Sequence, residues 1–242
     1  MPDKDASTPR IFILRHGETE WSKSGQYTGK TDIQLTPHGE AQVKGTAQQV
    51  YGPGKLIDPA KVAKVWLSPR KRAIKTYELL SGRNDGYEIS ESLAEWDYGD
   101  YEGRLTKDIR ALRKERSLDK EREWDIWSDG CEGGEYVDPP LPSGLRLQCL
   151  RSSAEVTARI DALLKEIRTF HVDRMHSSEP KDVILVAHGH LTRAFAKRFL
   201  GYELSFPLSL MMEPGGVGIL SYQHHNIDEP ALLLGIGFPL QE

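Results

Sequence analysis

The sequence predicts an α/β fold, in which a mainly parallel sheet is flanked by helices in three layers. Three short apolar runs have the length and the branched composition of buried strands: Ile11–Leu14, Val62–Leu67 and Asp182–Ala187. Helical spacing of apolar residues returns after each run. Because strands that alternate with helices form parallel sheets, we expect a single α/β domain over residues 1–242.

The composition is that of a soluble globular protein. The 242 residues are 38% hydrophobic and 28% charged, and the net charge of -4 argues against a nucleic-acid surface. Cys131 and Cys149 are too few for a disulfide scaffold, which favours a reduced compartment. Residues 1–9 form a polar tail without the apolar core of a signal peptide, and no run approaches the roughly 20 apolar residues of a membrane span. We expect a cytoplasmic location, with nuclear access left open, and no membrane partner.

Polar motifs follow two of the predicted strands directly. Arg15, His16 and Gly17 end the first strand, and His188-Gly189-His190 ends the strand 182–187. Open α/β sheets bind ligands at these strand ends, where an arginine fork fits phosphate oxygens and a neutral histidine is a nucleophile. One histidine at a strand end is more often structural, but a matched pair indicates a site. The pattern predicts an enzyme that passes a phosphoryl group through His16.

The third strand end, Ser68-Pro69-Arg70, precedes a predicted helix. Amides at a helix N-terminus attract anions. On its own, Arg70 would be a surface cation. Its place just beyond a strand, like that of Arg15, makes it a candidate for a second phosphate clamp.

Two loops could complete such a site. The polar stretch 21–31 is either a solvated connector or a ligand-binding loop. The stretch Leu93–Gly103 mixes aromatic and acidic residues, which suits a partly desolvated carboxylate that acts as a general acid. The residues themselves leave open which carboxylate acts: Glu95, Asp97, Asp100 or Glu102.

A partly helical cap is expected over about 93–153. It contains an exposed helix at 106–123 and a proline-rich, flexible insert at 136–153, and helical spacing resumes at Ala154. His171 and His176 are expected to be exposed. Strands at 215–222 and 232–236 should pair as a hairpin, whose turn either lines the site or merely reverses the chain.

These motifs together resemble the histidine phosphatase superfamily, in its phosphoglycerate-mutase-like group. The shared elements, in order, are Arg15–Thr19, Ser68–Arg70, Glu95 and Ala187–His190. Further stretches are similar to the fungal-type sedoheptulose-1,7-bisphosphatases: Thr19–Gly29, Glu95–Gly103, Leu118–Arg122 and Ser221–Pro230. Two features depart from that group, namely the stretch 136–153 and a short segment between His188 and Gly215.

The resemblance implies a phosphatase that needs neither metal nor organic cofactor. Arg15, Arg70 and His188 would surround the phosphoryl group. His16 would be the nucleophile, its tautomer fixed by a carbonyl, and Glu95 the acid and base. The implied substrate is a sugar (bis)phosphate, first sedoheptulose 1,7-bisphosphate, otherwise fructose bisphosphate. The implied contacts to the rest of the substrate are Tyr27, Thr28, Tyr98, Arg193 and His224.

Three rival functions remain at this point. A phosphoglycerate mutase would return the phosphoryl group to another hydroxyl. A metallohydrolase would use the histidine set His188, His190, His224 and His225, although this leaves Arg15 and Arg70 unexplained. A phosphate-binding module would bind the ester without turnover. Assembly into a homo-oligomer is left open.

Overall fold

The computed structural model describes residues 8–133 and 146–235, with a six-stranded sheet at its centre. The strands lie in the order β3-β2-β4-β1-β5-β6; the first four are mutually parallel, β5 is antiparallel to β1, and β6 is antiparallel to β5. Their bounds are β1 Ile11–Arg15, β2 Val62–Leu67, β3 Glu88–Ile89, β4 Asp182–Ala187, β5 Val217–Tyr222 and β6 Pro230–Leu232. The helices are α1 Glu20–Ser24, α2 Pro37–Val50, α3 Lys71–Ser81, α4 Thr106–Glu115, α5 Ile126–Asp129, α6 Arg146–Val172 and α7 Gly189–Phe199.

Alternating side chains of the central strands pack into two separate hydrophobic cores, one on each face of the sheet. In β1, Ile11 and Ile13 pack on one face with α6 and α7, whereas Phe12 and Leu14 pack on the other face with α2 and α3. Strand β4 is buried along its whole length because helices cover both faces. The predicted three-layer fold with a mainly parallel sheet is confirmed.

The described part of the segment between β3 and α6, residues 90–133, packs on the α6 and α7 face. Trp96, Trp124 and Ile126 are buried in that core. Helix α4 ends at Glu115, earlier than the predicted 123, because Ser117 adopts a left-handed backbone with φ 57° that a helix cannot continue through. The described part of the predicted cap is therefore partly helical, and buried aromatic side chains pack it against the core.

Three predicted boundaries are wrong. Helix α6 begins at Arg146, so the last part of the predicted insert is helical; no proline lies between Arg146 and Val172 to prevent it, and residues 136–145 lie outside the described residues. The loop 21–31 starts as helix α1, which a capping box at Thr19 stabilises. The second hairpin strand is Pro230–Leu232 rather than 232–236.

One predicted exposure is also wrong. His171 is fully buried, and its Nδ1 lies 3.0 Å from the Tyr222 hydroxyl. It continues the buried stripe of α6 four residues beyond Ile167. His176 is exposed, as predicted.

Across the two described ranges, no helix combines the length and the apolarity that crossing a bilayer requires.

A close glycine contact fixes the turn after β1 against the start of α2. A Cβ on Gly17 would lie 2.6 Å from the carbonyl oxygen of Gly39, and one on Gly39 would lie 2.2 Å from the carbonyl oxygen of Glu18. Thr36 caps α2 by accepting from the Gly39 amide at 2.9 Å and donates to Glu18 at 2.8 Å. The sharp turn that carries His16 is thus held by a neighbouring helix end.

This contact predicts opposite effects of alanine at two glycines of α2. Gly39→Ala should lower the free energy of unfolding by about 1–3 kcal/mol, since its methyl group meets rigid backbone. Gly45→Ala is the matched control: nothing lies within 4 Å of its Cβ, so better helix propensity should add about 0.5–1 kcal/mol. Urea unfolding measures both, and equal effects would contradict the close packing.

Candidate active site

Three neighbouring strands bring their carboxyl ends together at one edge of the sheet. Strand register pairs Arg15 with Ala187 and Leu67 with Val186. The pairing of β1 with β4 continues one residue past the end of β1, where the His16 amide donates to the Ala187 carbonyl at 3.0 Å. His16 and His188 follow paired strand residues directly, so they lie side by side, with their ring centroids 5.2 Å apart.

His16 is held as a neutral imidazole with one defined tautomer. Its Nδ1 lies 2.7 Å from the Gly17 carbonyl oxygen, which can only accept, so Nδ1 carries the proton and Nε2 keeps its lone pair. Burial lowers the pKa of His16 to about 3, and the nearby guanidinium groups of Arg72 and Arg15 contribute to the shift. The expected carbonyl contact is present, and at neutral pH the ring has a free nucleophilic nitrogen.

His188 is fully buried beside it and is also neutral. Its Nδ1 accepts from Arg72 Nε at 3.1 Å, so Nε2 carries the proton and donates to Ser68 Oγ at 2.6 Å. Burial and the charge of Arg72 hold the pKa of His188 well below its usual range. Both strand-end histidines therefore lie, uncharged, next to fixed positive charge.

The arginine that hydrogen-bonds to His188 is Arg72, two residues beyond the predicted clamp Arg70. Arg72 is fully buried, and besides His188 its guanidinium donates to the carbonyl oxygens of Thr28, Gly29 and Thr31 at 2.9–3.1 Å. Helix α3 begins at Lys71, and side chains in a first turn point back towards the helix N-terminus. This direction takes Arg72 to the strand ends.

Arg70 is the half-buried N-cap of α3. Its Nε is buried without a hydrogen-bond partner in the described ranges, and its charge contributes to the lowered pKa of His188. The signal that distinguishes the two arginines was present in the sequence. Arg72 belongs to the buried stripe of α3, with Ala73, Thr76, Tyr77 and Leu80. An arginine on an otherwise uncharged buried face indicates a polar site beneath it.

Arg15 has a donor available for a ligand. Its Nη1 donates to the Met212 carbonyl at 2.7 Å, while its Nε is buried without a partner among the described residues. Gly189 makes room for the guanidinium, since a Cβ there would lie 3.3 Å from Arg15 Cζ. The guanidinium of Arg15 therefore lies over Gly189, the first residue of α7.

Glu95 lies at the N-terminus of α7. Its Oε1 accepts from the Leu191 amide at 3.0 Å and the Trp96 amide at 2.9 Å, and its Oε2 accepts from the His190 amide at 3.1 Å. A carboxylate is stabilised by helix N-terminal amides in this way. Because Oε2 has a single amide donor, a lone pair remains on it for a proton.

The three other candidate carboxylates have structural partners. Asp97 forms an ion pair with Lys30, and Asp100 lies 3.4 Å from Arg116. Glu102 accepts from the amides of the loop at Gly29 and Thr31. Of the four candidate carboxylates, Glu95 is the one that lines a cavity together with His16.

A cavity of about 200 Å³ opens over Arg15, His16 and Glu95, while Arg72 and His188 are not among the residues that line it. It is lined by Arg15, His16, Ser22, Gly25, Gln26, Tyr27, Thr28, Glu95, Tyr98, Thr106, Gly189, His190 and Arg193. Four of the predicted substrate contacts are in this set: Tyr27, Thr28, Tyr98 and Arg193. Thr106 also lines the cavity, although nothing in the sequence predicted it. His190 lines it too, although its only predicted role was that of a metal ligand.

The fifth predicted contact, His224, is wrong. Strand β5 runs antiparallel to β1, so the turn after Tyr222 lies at the opposite edge of the sheet from His16. His224 is three-quarters exposed there, with Nδ1 2.6 Å from Glu229 Oε2. This turn reverses the chain and does not line the site.

The same placement separates the histidines of the metallohydrolase rival. His188 and His190 lie at one edge of the sheet, and His224 and His225 at the other. Within 8–133 and 146–235, no group of three or more histidine, cysteine, aspartate or glutamate side chains is arranged to hold a metal ion.

Comparison with known proteins places the chain in a family. The model of the histidine phosphatase superfamily (branch 1) matches residues 11–231. The chain belongs to this superfamily. The sedoheptulose 1,7-bisphosphatase of Saccharomyces cerevisiae is 37% identical to this histidine phosphatase, over 94% of this chain and 92% of that protein. An acid phosphatase of Mycobacterium tuberculosis is 33% identical, over 89% and 87% of the two chains.

A solved structure supports the same placement. The product of an open reading frame of Mycobacterium tuberculosis matches with a TM-score of 0.70 and 30% identity, over 93% of this chain and 96% of that chain. The predicted family and the predicted enzyme class, a phosphoric monoester hydrolase, are confirmed.

The buried imidazole predicts how the stability of this histidine phosphatase depends on pH. Between pH 5.5 and pH 4 the unfolded chain protonates His16 while the folded chain, with a pKa of about 3, does not. The unfolded state then binds the extra proton, so His16 contributes a loss of about 1.4 kcal/mol of stability per unit of falling pH. His16→Gln should make the slope shallower by about this amount in urea unfolding at several pH values. Identical slopes in the two proteins would show that His16 is not buried in its neutral form.

Proposed function

We propose that this enzyme hydrolyses a sugar phosphate or bisphosphate, first of all sedoheptulose 1,7-bisphosphate, through a phosphohistidine at His16. One observation carries the proposal. The ring that lines the cavity has its Nδ1 committed to the Gly17 carbonyl, which leaves Nε2 unprotonated beside Arg15 and Glu95. A nucleophile, a cation and an acid around one cavity are the groups that phosphoryl transfer needs.

In the first step the lone pair of His16 Nε2 attacks phosphorus, and the bond from phosphorus to the sugar oxygen breaks. Glu95 gives its proton to that oxygen, so the sugar leaves as a neutral alcohol. Arg15 and Arg72 stabilise the charge on the phosphoryl oxygens. Ser68 accepts a hydrogen bond from His188 Nε2, so its own hydroxyl hydrogen remains free to donate to the same oxygens.

In the second step a water molecule attacks the phosphorus of phosphohistidine. Glu95, now a carboxylate, takes the proton of the water, the bond from phosphorus to nitrogen breaks, and inorganic phosphate leaves. His16 returns to the neutral tautomer that Gly17 selects. Splitting the reaction in this way suits a phosphate monoester, whose uncatalysed hydrolysis is among the slowest reactions known.

Two observations support a sugar bisphosphate as substrate. The Saccharomyces cerevisiae relative, at 37% identity, is named for sedoheptulose 1,7-bisphosphate. The cavity wall beyond Glu95 carries hydroxyl, amide and imidazole groups together with Arg193, whose Nε donates to the Gly189 carbonyl at 2.8 Å. Polar groups suit sugar hydroxyls, and a further arginine suits a second phosphate.

The nucleophile is tested by release of phosphate from sedoheptulose bisphosphate, fructose bisphosphate and 3-phosphoglycerate. The wild type should release phosphate fastest from sedoheptulose bisphosphate, and His16→Ala should lose activity by roughly a thousandfold or more, as expected when a covalent nucleophile is removed. Quenching with labelled substrate during turnover should place the label on His16 Nε2. An isomerised phosphoglycerate without phosphate release would favour the mutase instead, and normal turnover by His16→Ala would disprove the mechanism.

The two neighbouring arginines give a matched test of the phosphate clamp. Arg72→Met should lower kcat by roughly 10²–10³, the usual effect of removing one preorganised donor from a transition-state site. Arg70→Met removes the same group two residues away and should lower kcat by less than about tenfold, the effect of a cation outside the contact shell. Circular dichroism spectra confirm that each variant is folded. A larger loss in Arg70→Met would restore Arg70 as the clamp.

A further inference from the structure

The imidazole of His190 is fixed in the cavity wall on three sides. Its Nδ1 lies 2.7 Å from the Tyr98 hydroxyl oxygen. The ring of Tyr27 stacks on it at 5.5 Å between centroids and an interplanar angle of 16°, and the ring of Trp127 lies 5.5 Å away. Its backbone amide holds Glu95 Oε2. The side chain is therefore rigid and next to the acid.

The hydroxyl of Tyr98 determines which nitrogen of His190 carries the proton. Tyr98 is buried, and burial keeps the pKa of its hydroxyl well above the usual value, so the oxygen keeps its proton. Within the described part of the chain, His190 Nδ1 is the hydrogen-bond partner of that oxygen. If Nδ1 donated instead, the buried hydroxyl proton would have no acceptor, which is costly. Tyr98 therefore donates, and the proton of the neutral imidazole lies on Nε2.

The Nε2–H group faces away from Tyr98, in a residue that lines the cavity. No acceptor for it is found in the described ranges, and it is not among their buried unpaired atoms. Nothing in the phosphoryl-transfer steps uses this donor. A rigid, neutral donor at the wall of a binding site is suited to an uncharged oxygen of a ligand.

We propose that His190 is a specificity-determining residue: it donates from Nε2 to a hydroxyl or ring oxygen of the departing alcohol and so favours polyol phosphates over aryl phosphates. The inference rests on the proposed function and identifies the part of the substrate that is recognised. Glu95 protonates the departing oxygen of the alcohol. His190 lies next to Glu95, since its amide donates to Glu95 Oε2, so the oxygen that the His190 imidazole reaches belongs to the same alcohol. The charged Arg193 is better suited to phosphate.

The test compares kcat/KM for the best sugar bisphosphate with kcat/KM for p-nitrophenyl phosphate, whose alcohol carries no hydroxyl. His190→Phe keeps a ring to stack on Tyr27 but removes both nitrogens. It should lower the sugar-to-aryl ratio by about tenfold or more, because a site built to bond a hydroxyl discriminates through that bond. His190→Gln, which restores an N–H donor near the Nε2 position, should recover part of the ratio.

Other results would overturn the inference. Equal losses on both substrates would mean that His190 acts only by positioning Glu95, and an unchanged ratio in His190→Phe would mean that it does not contact the alcohol. Failure of the proposed function itself is recognised separately, because the wild type would then release no phosphate and carry no label on His16.

If the His190 variants do not fold, the proposal can still be tested by a measurement on protein that keeps His190. Long-range ¹H–¹⁵N spectra of the whole protein should show His190 with its proton on Nε2. In the His16→Ala protein, the bisphosphate should shift that proton signal and inorganic phosphate should not. A proton on Nδ1, or equal shifts with both ligands, would contradict the proposal.

Discussion

The buried guanidinium of Arg72 is the interaction on which the geometry of the site depends. It has no exposed surface, and it binds three carbonyl oxygens of the loop at Thr28–Thr31 together with the ring of His188. A buried charge is tolerated only when its donors are satisfied. The need to satisfy Arg72 therefore fixes the loop, the strand-end histidine and the start of α3 relative to one another.

This positive charge explains why the site works with neutral histidines. A desolvated imidazole beside guanidinium groups is costly to protonate, so the pKa values of His16 and His188 both fall. The carbonyl of Gly17 and the guanidinium of Arg72 then select one tautomer for each ring. The same arrangement that keeps His16 unprotonated also places positive charge beside it, which is what the proposed transfer of a phosphoryl group requires.

The sequence predicted the strand ends well because each buried strand is a local apolar run with a polar motif directly after it. Arg15, His16 and His188 could be located in this way, and the structure brings them together. Arg72 lies outside the strand-end motif, which ends at Arg70, and helical periodicity is the signal that shows which arginine faces inward. Glu95 was singled out by resemblance alone. The residues of its loop do not reveal that the amides of α7 select this carboxylate, since that contact joins positions 95 and 191.

Non-local contacts also explain the error at His224 and the role of the segment before β5. The direction of β5 is decided by pairing with β1, not by the local sequence, and it takes the turn at His224 to the far edge. At the near edge, Arg15 donates to the Met212 carbonyl, and the Gly215 amide donates to the Arg15 carbonyl at 3.1 Å. The short segment before Gly215 thus holds the first arginine in place. A change in its length would therefore move Arg15, and with it the proposed phosphate clamp, in addition to any effect on substrate contacts.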